Sequence, residues 1–71
     1  MAISYNGLWK LLIDKDMSPV MLRQATGIAP NTMTKLRRDE PVAMIVLEKI
    51  CSALDADVGD IVQFVKVSED Q

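Results

Sequence analysis

Seventy-one residues, 49% of them hydrophobic, suffice for one small core and leave no room for a separate ligand-sensing domain. Net charge is −2, histidine is absent and Cys51 is the single cysteine. That composition excludes an intramolecular disulfide and a Cys/His metal site, and it fits a reducing cytoplasm. The sequence has no long apolar run and no basic-then-apolar leader, so neither a membrane span nor export is expected.

In chain order, Ser4 is placed to cap a first helix from about Tyr5 to Lys15. Leu8, Leu11, Leu12 and Lys15 form one stripe, which Trp9 and Ile13 widen. A lone indole beside leucines reads as core or dimer surface rather than a base-stacking platform. Asp16-Met17 makes the connection, with Met17 folding inward. Ser18, a good N-cap, and Pro19, harmless at the first helical position, then open a second helix. Leu22 and Ala25/Thr26 recur at i, i+3, i+4 as its inward face, with Gln24 on the other side. Gly27 ends it, because glycine reaches the left-handed region freely. Ile28 offers an apolar anchor, Pro30 opens another short helix, and Met33 and Leu36 turn inward.

Between Ser18 and Arg38 stand four cations, Arg23, Lys35, Arg37 and Arg38, and no acid. Residues 1–17 sum to zero, this stretch to +4 and residues 39–71 to −6. A polyanion meets the local patch rather than the net charge. On the helix beginning at Pro30, Asn31, Thr34, Lys35, Arg37 and Arg38 are left facing out. Asn can bond two edges of adenine, Lys can reach guanine or phosphate, and Arg grips phosphate with two prongs. The plain alternative is a solvated polar face.

Asp39-Glu40-Pro41 breaks the chain. A fourth helix, about Ala43 to Leu54, places Met44, Leu47, Ile50, Cys51 and Leu54 on a core face and leaves Ile45 outside, where with Met44 it suggests a partner surface. On that face Cys51 is a structural thiol. Asp57 should cap a fifth helix, about Val58 to Phe64, with Asp60 at its third position and Val58, Ile61, Val62, Phe64 and Val65 apolar. The acids therefore read as caps, and no metal or other cofactor is expected. From Phe64 to Ser68 the chain alternates like a strand, its mate being Ala2 to Ser4; Ser68 to Gln71 should fray.

The order Leu22, Gly27-Ile28, Thr32-Met33, Leu36, then Leu47, Ile50 and Leu54 resembles the phage-repressor type of helix-turn-helix, the Cro/CI-type or XRE-like regulators. The likeness runs from about Tyr5 to Phe64. It is strongest to small single-domain members that share LWKLLIDK (Leu8 to Lys15), LR..TGI..NT...L (Leu22 to Leu36) and LEKIC..L (Leu47 to Leu54). This resemblance implies an all-α, five-helix domain over residues 1–71 with its core at about 5–64, extended here by the short terminal two-stranded ribbon. It also implies a bacterial or phage-encoded cytoplasmic regulator. Five residues depart from the family pattern. Arg23 replaces a small residue that packs on the next helix, so its stem should lie along the helix pair and its head reach solvent, phosphate or Asp14. Pro19 and Pro30 stand near positions where the family often has polar donors. Asp39 and Glu40 stand where the family commonly has glycine followed by cations, which repels phosphate locally.

The leading reading is a sequence-specific DNA-binding transcriptional regulator, a repressor by family resemblance, that acts on double-stranded DNA as a homodimer, with residues 30–37 in the major groove. Asn31, Lys35 and Thr32 are the expected base readers; Arg23, Thr34, Arg37 and Arg38 are the expected phosphate contacts. The alternative is a protein-binding adaptor or inhibitor that keeps the fold and grips its partner through Met44 and Ile45. With no histidine and its thiol on a core face, the chain offers no nucleophile and base for an enzyme.

Overall fold

The computed structural model describes residues 2–66. Elements run β1 (Ala2–Ser4), α1 (Asn6–Asp14), α2 (Pro19–Thr26), α3 (Pro30–Arg37), α4 (Met44–Leu54), α5 (Val58–Ile61) and β2 (Gln63–Val65). All five expected helices form, and the terminal ribbon closes as an antiparallel pair with Ile3 opposite Phe64. The strand expected beyond Lys66 and the fraying tail lie outside the described residues.

One core unites the elements: Tyr5, Leu8, Leu12, Leu22, Ile28, Met33, Leu36, Ile50, Leu54 and Ile61. α1 packs on α5, α2 on α4, and α2 on α3. Gly7 makes the first of these contacts possible, since a Cβ there would run into the backbone carbonyl of Asp60. Trp9, Leu11 and Met17 pack half-buried against the core.

Helix ends follow simple local chemistry. Ser18 accepts from the Met21 N–H at 3.1 Å, and Gly27 closes α2 at φ 73°. Asp57 and Asp60 form a reciprocal capping box on α5. Ser4 does not cap α1 in the expected sense: Tyr5 is the N-cap residue, and Ser4 Oγ accepts from the Asn6 N–H at 3.3 Å. Asp16, Asp39 and Asp55 all sit in the left-handed region just past α1, α3 and α4, at φ 56°, 57° and 54°. After each of them the next N–H returns to a carbonyl five residues back, from Met17 to Leu12, Glu40 to Lys35 and Ala56 to Cys51. Asp tolerates this conformation better than most residues, which is how three helices stop without glycine.

Several expected faces need correction. Ile13 is 77% exposed, because it lies about 100° round the helix from Leu12, which takes the inward place in the last turn of α1. Ala25 is exposed, leaving Leu22 and half-buried Thr26 as the inward side of α2. Met44, placed on the core face by its spacing from Leu47, is 70% exposed; the first turn of α4 projects past its neighbours and burial is complete only at Ile50 and Leu54. α5 ends at Ile61 rather than Phe64, because Val62 is already extended (φ −131°, ψ 141°) and leads into β2.

Candidate nucleic-acid interface

The α2–α3 pair is built from its buried residues outward. Leu22 of α2 and Met33 and Leu36 of α3 are held in the core, and Ile28 buries the linking turn. The Thr26 hydroxyl donates to the Leu22 carbonyl at 2.8 Å, one turn back along α2. Three residues, Gly27–Ala29, then reverse the chain. With those inward positions fixed, the phase of α3 is set.

That phase leaves Asn31, Thr34, Lys35, Arg37 and Arg38 exposed and Thr32 half-buried. Asn31, Thr34, Lys35 and Arg38 follow one another at i, i+3, i+4 and i+7, one line along the helix. Thr34 spends its hydroxyl proton on the Pro30 carbonyl at 3.2 Å, so toward a ligand its oxygen is an acceptor unless that bond opens. Arg23 is half-buried. With Pro19, Val20, Pro30, Thr34 and Arg37 it lines a cleft of about 230 Å³ between α2 and α3. Among the described residues it forms no ion pair with Asp14, and Arg23 and Arg37 border one groove.

The openings of α2 and α3 differ. Both have proline at the first position, but Ser18 caps α2 by a side-chain hydrogen bond while Ala29 gives α3 none, and α3 has no acid in its first turn. At the start of α3, Pro30 carries no N–H and the Thr32 N–H returns to the Ala29 carbonyl at 3.0 Å, so no side chain is engaged there. Its other end carries Lys35 and Arg37 in the last turn.

The loop acids have structural work that periodicity does not reveal. Asp39 Oδ1 accepts from the Tyr5 N–H at 3.1 Å, and the Tyr5 hydroxyl donates to the Glu40 carbonyl at 2.8 Å. Burial, reinforced by the Asp39 charge, pushes the Tyr5 phenol above its usual range. Glu40 also lies 3.9 Å from Arg38 across an exposed pair. Cys51, half-buried on α4, is pushed up by burial and by the charges of Asp57 and Asp60, the opposite of an activated thiol. Among the described residues no group of three His, Cys, Asp or Glu is placed to hold a metal, and no helix is long and apolar enough to cross a membrane.

A family model for the Cro/C1-type HTH DNA-binding domain matches residues 7–66. The chain belongs to this family. Among solved structures, this Cro/C1-type domain is similar to the crystal structure of the transcriptional regulator VanUg, form II, at a TM-score of 0.85 and 48% identity. That match covers 87% of this chain and 83% of the other. Among curated proteins no match is found. In the Cro/C1-type frame, Arg23, Thr34 and Arg37 come together at one groove and Asn31 and Lys35 share the adjoining side of α3, while Met44 and Ile45 lie apart at the start of α4.

Proposed function

We propose that this DNA-binding domain serves transcriptional regulation by reading duplex DNA as a homodimer. The observation that carries the reading is the outer side of α3, which presents only amide, hydroxyl and cationic groups beside the Arg23/Arg37 groove. α3 enters the major groove with Asn31 and Lys35 toward base edges and half-buried Thr32 at their flank. Arg23, Thr34, Arg37 and Arg38 hold phosphates and fix register. Two copies then meet half-sites about one helical turn apart, and the protein, bacterial or phage-encoded, acts in the cytoplasm. The structural neighbour's description as a transcriptional regulator supports this role.

Selection from a random duplex pool tests it. Enrichment of paired half-sites about one turn apart is expected; recovery of unenriched sequence at low salt rejects sequence reading. A second reading, a protein-binding adaptor, is favoured by the 70% and 55% exposure of Met44 and Ile45. On that reading Met44→Glu abolishes function while duplex affinity stays unchanged.

A further inference from the structure

α3 is eight residues long, and a helix that short keeps its place by tertiary packing rather than by propensity. The turn before it is anchored by Ile28, and its inward side by Met33 and Leu36. Its far end is held by hydrogen bonds. Tyr5, 1% exposed, is the N-cap residue of α1, and its carbonyl accepts from the Leu8 N–H at 3.0 Å. From that seat its N–H donates to Asp39 Oδ1 and its hydroxyl to the Glu40 carbonyl. The Glu40 N–H in turn donates to the Lys35 carbonyl at 2.9 Å. A continuous hydrogen-bonded path thus joins the first turn of α1 to Lys35. Asp39 serves it twice, tolerating the φ of 57° past the end of α3 and reaching back to α1 with its carboxylate. Tyr5 also borders an open apolar cleft of about 460 Å³ at the ribbon, whose walls include Ile3, Met44, Leu47, Val58 and Phe64.

We propose that Asp39, Tyr5 and the backbone of Glu40 form a clamp that positions Lys35 and Arg38 for the duplex. This rests on α3 being the base-contacting helix, as above, and deepens that reading by naming what holds its cations in register. The clamp residues act through α3 and touch neither base nor phosphate. Charge alone gives Asp39 the opposite role, since a carboxylate near phosphate weakens binding to every sequence alike and its removal strengthens it. The clamp changes that expectation. A base contact is directional and tolerates little displacement, whereas a phosphate contact carries no sequence information. Loosening the end of α3 therefore erodes preference between sequences before it erodes overall affinity.

Two substitutions separate the charge from the clamp. Asp39→Asn and Asp39→Gly remove the same charge and both allow a left-handed backbone, but only Asn keeps an oxygen to accept from the Tyr5 N–H. Tyr5→Phe breaks the Glu40 link without changing charge, and Asp55→Gly, at the matching left-handed position past α4, controls for the glycine itself. The readouts are hydrogen-exchange protection of the Arg38 and Glu40 amides without DNA, and the ratio of affinities for a selected and a scrambled duplex by fluorescence anisotropy. Both are taken at a temperature where circular dichroism shows every variant folded. In Asp39→Gly the protection is expected to fall and the ratio to drop about tenfold, the worth of one base contact. Tyr5→Phe should move both in the same direction, while Asp39→Asn and Asp55→Gly keep both. Asp39→Gly and Asp39→Asn with equal ratios would make the carboxylate a mere charge and overturn the clamp. Protection unchanged in both Asp39→Gly and Tyr5→Phe overturns it equally. If protection responds as expected and the wild type prefers no duplex, the clamp on α3 stands and the DNA reading falls instead.

Discussion

The α2–α3 face and the ribbon cleft are both open surfaces, but they arise at different levels of the structure. On α3 the exposed cations follow from helical phase: once Met33 and Leu36 are buried, Lys35 and Arg38 must point out. At the cleft, exposure follows from where elements stop. α5 ends at Ile61, the chain turns extended at Val62, and β2 runs beside β1 instead of completing a helix over Met44 and Leu47. The first surface is therefore a local property and the second a tertiary one, and perturbations should separate them.

The largest effect is expected at the support of the cleft. Gly7→Ala drives a methyl into the Asp60 carbonyl and forces α5 away from α1, which should cost about 2 to 3 kcal/mol. A urea denaturation midpoint that does not move would show that this seat is looser than described. On the other face, Lys35→Ala should lose about 1 to 3 kcal/mol on the preferred duplex, whereas Arg38→Ala should weaken all duplexes alike and reduce the salt slope by about one. Equal loss on every sequence for Lys35→Ala would strip it of its reading role.

Between the two faces lies Tyr5, which ties the start of α1 to the end of α3. Tyr5→Phe leaves the Glu40 carbonyl without its donor and should cost about 1 kcal/mol in thermal or chemical denaturation. Because folding raises the phenol's pKa, the unfolded chain ionises first as pH rises. Its contribution is whole below about pH 10 and is lost as pH climbs through the folded value. Tyr5→Phe should remove that alkaline loss; an unchanged alkaline limb would place it elsewhere. The smallest effect is expected for Glu40→Gln, which frees Arg38 from an exposed pair and should improve duplex binding by a few tenths of a kcal/mol at low salt. Weaker binding would mean that Glu40 positions Arg38 rather than competing for it.

The same division accounts for what the sequence disclosed. Ser18, Gly27, Pro30, Asp57 and Asp60 act through neighbours one to four residues away, so the helix ends they mark were legible. The ribbon was legible because alternation at Phe64-Val-Lys had one mate, Ala2 to Ser4. Met44 and Ile13 share the spacing of buried residues, yet nothing packs over them; periodicity names a face without saying how far its cover extends. Asp39 looked like a charge set against phosphate, whereas it accepts from the N–H of Tyr5, 34 positions earlier. No local pattern carries that pairing. Arg23 announced itself by its chemistry, but its place at a groove with Arg37 needed the α2–α3 packing.

The most direct measurement is fluorescence anisotropy of the purified chain on a labelled duplex from upstream of its own gene against a scrambled duplex, repeated over a salt series. Tighter binding to the upstream duplex, with affinity falling steeply as salt rises, is the result expected of a basic face that holds phosphates while α3 reads bases. Absence of binding to either duplex at low salt would contradict it and leave the cations of α3 as a solvated surface.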